Sequence, residues 1–399
     1  MANSDKPKIS RRRFVKRAAA ATAAITAAPM IAKGLTRQAK ASGHKPGTIR
    51  LLGGASTMIP GDWTQFEKDT GLKMELTLLK DDPGVFFNDV MVNDAGSRYD
   101  IIAMLAGVQG PLVEGDWIIP IDHSRIPNWA GVEPGVKNNP QLSGMTTDTL
   151  WGVPIYMNAD TFGYFPEKLS EPRPPEEVSW SLVFDNEKTL GQSAVGDNFY
   201  TLTFAAAYMK YHKLATIDKV ENMTASEVAS VADWMIERKK AGQFRTYWST
   251  FDDQISNFVN GETLAQVCWE PAVKESRKQG ADIEYAWTPE FYIKWMTSGF
   301  IPVQAQDHGN LDEIYRAFDW FCGGAYGALL GPLRGYATPR PDLALDWAKE
   351  RDYSAEDIKA ISDNLDKLKY KYAQPEFWFR AVPDTLAEHE REMARFLNT

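Results

Sequence analysis

The sequence predicts an α/β protein of two domains, the first built on a parallel sheet with helical crossovers. Three observations lead there. Short apolar strands alternate with helical segments from residue 48 onward, the order that favours a parallel sheet with helical crossovers. A second series of strands and helices follows Trp151-Gly152-Val153-Pro154. The length past the N-terminal segment, about 358 residues, is that of two domains.

The elements follow in order. Thr48–Leu52 reads as a strand stopped by Gly53-Gly54. Asp62 can cap a helix carrying Trp63 and Phe66, which closes at Thr70-Gly71. Leu72–Leu79 alternates as a strand, and Tyr99–Met104 is an apolar run bounded by turn residues. In the second series Thr224-Ala225-Ser226-Glu227 is a capping box, with Val228, Val231, Met235 and Ile236 at helical spacing behind it. Thr263–Trp269 and Ile283–Trp287 read as strands. Leu311–Phe321, Ser354–Leu368 and Asp384–Phe396 read as helices, and Glu171–Pro175 is a Pro-rich surface linker.

The N-terminus has the pattern of a twin-arginine export signal. Ser10-Arg11-Arg12-Arg13-Phe14-Val15-Lys16 precedes an alanine-rich apolar stretch and Ala39-Lys40-Ala41, an A-x-A cleavage site. The stretch from Ala18 to Ala32 is too short to span a bilayer stably. Residues 1–41 carry ten Lys/Arg and one Asp, which leaves 34 Lys/Arg against 52 Asp/Glu, a net of −18, for the remainder. A body this acidic excludes nucleic acid and anionic membranes as expected partners. It suits a periplasmic protein exported by the twin-arginine route, expected to be a monomer. Cys268 and Cys322 sit in apolar contexts, and two buried free thiols are expected rather than a disulfide.

The chemistry of common enzymes is missing from the pattern. There is no G-x-S-x-G elbow, no G-x-x-x-x-G-K-[ST] loop and no G-x-G-x-x-G. His44, His123, His212, His308 and His389 are scattered, and neither cysteine stands at C-x-x-C spacing. No cofactor or metal is therefore expected. Asp81-Asp82 and Asp252-Asp253 are adjacent acids read as solvated surface. The positive signal is aromatic: 13 Trp, several beside polar residues, as in Trp269-Glu270, Trp287-Thr288-Pro289 and Trp295-Met296-Thr297. Tryptophan faces near carboxylates attract cations by roughly 0.5–2 kcal/mol per contact. Trp180, Trp234, Trp320 and Trp347 are assigned to cores or lobe packing.

The chain resembles periplasmic solute-binding proteins of ABC importers, in the spermidine/putrescine-binding group. The resemblance rests on Phe66-Glu67-Lys68-Asp69-Thr70-Gly71-Leu72-Lys73, Tyr99-Asp100-Ile101-Ile102, the segment Gly115 to Asp122 and Trp151-Gly152-Val153-Pro154. It continues through Asn260-Gly261-Glu262, Val267-Cys268-Trp269, Trp295–Pro302 and Gly335-Tyr336-Ala337-Thr338-Pro339. It implies a type II periplasmic-binding-protein-like fold of two lobes, each a mixed sheet flanked by helices, with a cleft between them. Lobe one would join 46–154 with 304–348, and lobe two 155–303 with 349–399. It also implies a solute held in the cleft, a closed form that docks on membrane permease subunits and no enzymatic activity; the alternative is an exported enzyme or sensor on the same two-lobe scaffold.

Carried over residue by residue, the resemblance assigns Trp269 and Trp295 to the ligand as stacking aromatics and matches Asp197 to an acid of the second lobe. Other acidic or aromatic positions of the group fall on Gly54, Ser56, Tyr200 and Thr297, and its polar-aromatic cluster on Leu105-Ala106-Gly107. A polyamine needs several carboxylates to replace water around its ammonium groups. The cleft of Ser56, Asp197, Tyr200, Trp269, Glu270, Trp295 and Thr297 better suits a small amine, quaternary-amine or amino-acid-like solute, with Glu270 or Asp197 as counter-charge. A true polyamine is the alternative, and an anionic ligand on the backbone of Gly53–Ser56, assisted by Arg334 and Arg340, is a further reading.

Overall fold

The computed structural model describes residues 46–399 except 55–57, 59–62, 80–82, 138, 140–141 and 143–148. The export signal, Ser56, Asp62 and Asp81-Asp82 lie outside the described residues.

Among the described residues eleven strands join one mixed sheet. Strands β1 (Thr48–Gly54), β2 (Lys73–Leu79) and β3 (Ile101–Leu105) are parallel, with β1 in the middle. At the far end β6 (Ser193–Gly196), β7 (Phe244–Trp248) and β8 (Ala265–Cys268) are also parallel, with β6 central. Between these two sets run the longest strands, β5 (Val153–Tyr164) and β10 (Tyr292–Pro302), paired antiparallel to each other and buried along their whole length. β10 continues the first set through β3, and β5 continues the second through β8. The short strands β4 (Ile118–Ile119) and β11 (Glu376–Trp378) pair with β10, and β9 (Glu284–Tyr285) pairs with β5.

Helix α1 (Thr64–Thr70) ends at Gly71 in the left-handed region, as the sequence predicts, and α3 (Ala225–Lys240) carries the expected capping box between Thr224 and Glu227. Helix α2 spans Tyr200–Tyr211 and α4 spans Phe251–Val259. Asp252 and Asp253 stand in the first turn of α4, where Asp253 completes a second capping box with Thr250. That placement explains the acidic pair without catalysis. Helix α5 (Glu270–Lys278) follows β8 directly, and α6 (Leu311–Phe321) matches its expected bounds. Helices α7 (Gly324–Arg334), α8 (Pro341–Lys349) and α9 (Ala355–Ala373) pack on one another, and α10 (Leu386–Asn398) packs on α3.

The strand from Thr48 does not stop at Gly53-Gly54 but runs through both, pairing with Leu78 and Leu79. Packing accounts for the glycine within the strand: a Cβ on Gly53 would lie 2.7 Å from Met58 Cγ. Tryptophans centre the cores on both sides. Trp180 is fully buried, stacks on Phe291 at 4.8 Å and donates from Nε1 to the Phe291 carbonyl at 3.0 Å. Trp63, Trp320 and Tyr326 cluster against Phe66. Cys268 and Cys322 are buried free thiols.

Candidate functional site

The two crossing strands build the centre of the candidate site. Their register sets Trp295 opposite Asn158, Thr297 opposite Tyr156 and Ile293 opposite Asp160. Directly opposed residues share a face of the sheet. The segment Gly335–Ala337 is bound to this region by a bridge between Met157 and Ala337. It brings the Tyr336 ring edge-on to Trp295 at 5.0 Å and stacked on Tyr156 at 6.2 Å. Trp295 is therefore enclosed, at 6% exposure.

Beside the aromatics lies a buried cluster of charge. Glu270, the first residue of α5, is ion-paired with Lys367 and Lys371 of α9. Lys371 also donates to Asn158 Oδ1 at 3.2 Å and to the Ala159 carbonyl at 2.8 Å. The Lys371 ammonium lies 4.7 Å from the Tyr285 ring centre. Desolvation pushes the Glu270 carboxyl up, but Lys367, Lys371 and Lys274 outweigh it and hold the group at about 2. Asp160 goes the other way. Desolvation raises it to about 7, against the opposing pulls of the Trp295 N–H and Lys371. That indole N–H favours the charged carboxylate, and Trp295 Nε1 is buried without a formed hydrogen bond. Burial lowers Lys371 to about 8 despite Glu270 and Asp160.

The expected site residues separate on this frame. Trp295 and Thr297 share the crossing-strand face, both buried. Trp269 is half-buried at the start of α5, stacked on Phe251 and edge-on to Trp248. Asp197 follows β6 and accepts from the Ser249 hydroxyl. Tyr200 opens α2 and meets the Phe379 ring at 4.3 Å. Glu270, expected as a counter-charge, is already ion-paired with Lys367 and Lys371 of the protein itself. Arg340 is bound to Asp342 and to the Asn128 carbonyl.

Sequence reasoning missed Asp160, Lys371, Tyr336 and Arg380. Three of them carry a signal in the sequence. Asp160 is a lone acid inside the apolar run after Pro154. Tyr336 belongs to a motif noted for the resemblance but not carried to the site. Arg380 is the single charge within Phe377-Trp378-Phe379-Arg380-Ala381-Val382. Lys371 could not be singled out among the lysines of α9. Among the described residues no group of three His, Cys, Asp or Glu is placed to hold a metal, and no helix is long and apolar enough to cross a membrane.

No protein-family profile matches the chain. Spermidine/putrescine-binding periplasmic protein 1 of Haemophilus influenzae is 21% identical over 360 residues, covering 88% of this chain and 89% of that protein. The spermidine/putrescine-binding periplasmic protein of Escherichia coli is 19% identical over 280 residues, covering 70% and 74%. A spermidine/putrescine ABC transporter substrate-binding protein of Streptococcus pneumoniae, solved in complex with calcium and HEPES, superposes with a TM-score of 0.66 at 14% identity, covering 88% of this chain and 98% of that one. The chain has the two-lobe fold of periplasmic binding proteins. The resemblance read from the motifs thus holds at the level of fold and of the proteins it is similar to. Those relatives and neighbours are substrate-binding proteins of transporters, not enzymes.

Proposed function

We propose that the protein is the substrate-binding component of an ABC importer. It captures a small polar organic solute between its lobes and presents the closed form to membrane permease subunits. The observation that carries this reading is the antiparallel pair β5/β10, which joins the two halves of the sheet and sets aromatic and polar side chains at their junction. Such a connection permits hinge closure around a ligand. In this reading the lobes divide as 46–154 with 304–348 and 155–303 with 349–399. Trp295, Thr297, Trp269, Tyr200 and Asp197 face the solute, and Tyr336 joins them.

The ligand is a solute other than spermidine or putrescine. A polyamine needs unengaged carboxylates, whereas Glu270 is neutralised internally and Asp197 is held by Ser249. We further place the mature protein in the periplasm, exported by the twin-arginine route and starting near Ser42. Mass spectrometry of the envelope fraction tests that placement; an intact N-terminus in the cytoplasm contradicts it. Solute binding is tested by thermal denaturation in the presence of candidate solutes. A true ligand at one hundred times its Kd adds about 2.7 kcal/mol of stability. Submicromolar binding of spermidine or putrescine would overturn the ligand class.

A further inference from the structure

Arg380 is buried, at 8% exposure, on the segment that follows β11. Backbone hydrogen bonds fix its position. Phe379 N donates to the Lys294 carbonyl of β10 at 2.8 Å, and Ala381 N to the Ala106 carbonyl at 3.3 Å. Ala106 N in turn donates to the Met296 carbonyl at 2.8 Å. Arg380 therefore stands where the end of β3 meets the crossing strand, with the Tyr200 end of α2 next to it through Phe379. Gly107 makes the close approach possible. Its φ is +104°, and a Cβ there would lie 2.7 Å from Ala381 N and 3.0 Å from Arg380 Cγ.

The guanidinium is only partly satisfied. Nη2 donates to Asp384 Oδ1 at 2.9 Å, and Asp384, itself 71% exposed, is also held by Asn222. Nε and Nη1 are buried and make no hydrogen bond. Arginine cannot shed its proton to escape this position. A closed form that buries two unmade N–H bonds of a cation is disfavoured unless something supplies acceptors.

We propose that Arg380 is an anion receptor at the junction of the lobes, and that the solute carries a carboxylate which completes its hydrogen bonding on closure. The proposal rests on the solute-binding reading and narrows its ligand class to amino-acid-like or betaine-like molecules. It also supplies what ligand-driven closure requires, an interaction stronger in the closed state than in the open one. A polyamine is disfavoured by the same charge that draws a carboxylate.

The test uses matched solutes that differ by the carboxylate: ornithine against putrescine, lysine against cadaverine, and glycine betaine against choline. Thermal denaturation and calorimetric titration are run at fixed ionic strength on the full mature chain. At least one carboxylate member is expected to raise the melting temperature while its partner does not. Arg380→Gln is expected to weaken that binding at least tenfold, whereas Asp384→Asn, which frees the remaining nitrogen, retains or tightens it. Equal stabilisation by both members of every binding pair, or carboxylate binding unchanged in Arg380→Gln, overturns the anion receptor and leaves solute binding standing. If no solute stabilises the protein, both fall. Should Arg380→Gln fail to fold, Asp384→Asn decides: a tenfold loss of carboxylate affinity there overturns the proposal.

Discussion

Lys371 and Arg380 are both buried cations near the crossing strands, and the structure treats them in opposite ways. Lys371 has an acceptor for its protons in Asn158, the Ala159 carbonyl and Glu270, and aromatic rings nearby. Arg380 has one exposed carboxylate on one nitrogen and nothing on the other two. The lesson is that buried charge alone does not mark a ligand site. A charge whose bonds are completed from within holds helices to strands, as Lys371 ties α9 to β5. A charge left incomplete has binding capacity to spare.

The largest effect should follow from breaking the completed network. Lys371→Met leaves Glu270 ion-paired with Lys367 only and removes the donor to Asn158 Oδ1. Loss of one partner of a buried ion pair costs about 3–5 kcal/mol, and urea unfolding should show a loss of that size. A change under about 1 kcal/mol would place Lys371 with the spare charges instead.

Next in size is Trp295. Its enclosure by Tyr156 and Tyr336 means that Trp295→Ala would damage packing as well as binding. Trp295→Phe separates the two. It should keep the cooperative transition and weaken solute binding about tenfold, roughly 1.4 kcal/mol. Unchanged affinity in a calorimetric titration removes Trp295 from the site.

Arg380→Met should do little harm to the free protein. Replacing a half-satisfied buried charge by an apolar side chain is near neutral, within about 1 kcal/mol of wild type, or stabilising. A loss of several kcal/mol in the absence of solute would show that Arg380 is structural, like Lys371.

A further effect is a pH dependence centred on Asp160 in the same buried cluster as Lys371. Desolvation raises Asp160 from 3.8 to about 7. Between those values the folded state holds a proton that the unfolded state releases, so this contribution is full below pH 3.8 and is lost as pH rises through about 7. The wild-type melting temperature should therefore decline by a few degrees between about pH 5 and 7.5 relative to Asp160→Asn. Parallel curves for the two proteins would mean that Asp160 titrates normally.

Much of the fold was legible because its signals are local. The capping box at Thr224, the glycine after Thr70 and the amphipathic run Leu311–Phe321 each act within a few residues. The crossing strands were not seen as one pair. Val153–Tyr164 and Tyr292–Pro302 are far apart in sequence and buried on both faces, so they lack the alternation that marks a half-exposed strand. The aromatics Trp295 and Trp269 can be picked out of the sequence as candidates, whereas the charges around them cannot. Whether Glu270 is free depends on Lys367 and Lys371, about a hundred positions away, and no spacing rule reports that. Arg380 has no motif of the resemblance beside it, whereas Arg334 and Arg340 flank Gly335–Pro339.

Solute-driven closure of the lobes is the central claim, and distance across the cleft measures it directly. Thr77 on β2 and Ala241 after α3 are exposed at opposite ends of the sheet. Cys268 and Cys322 are buried, so cysteines introduced at those two positions take a donor–acceptor dye pair selectively. Adding the carboxylate solute that raises the melting temperature should shift the transfer efficiency saturably, with a midpoint at the calorimetric Kd, and Arg380→Gln should move that midpoint at least tenfold higher. A transfer efficiency that stays constant through saturation of binding would contradict closure.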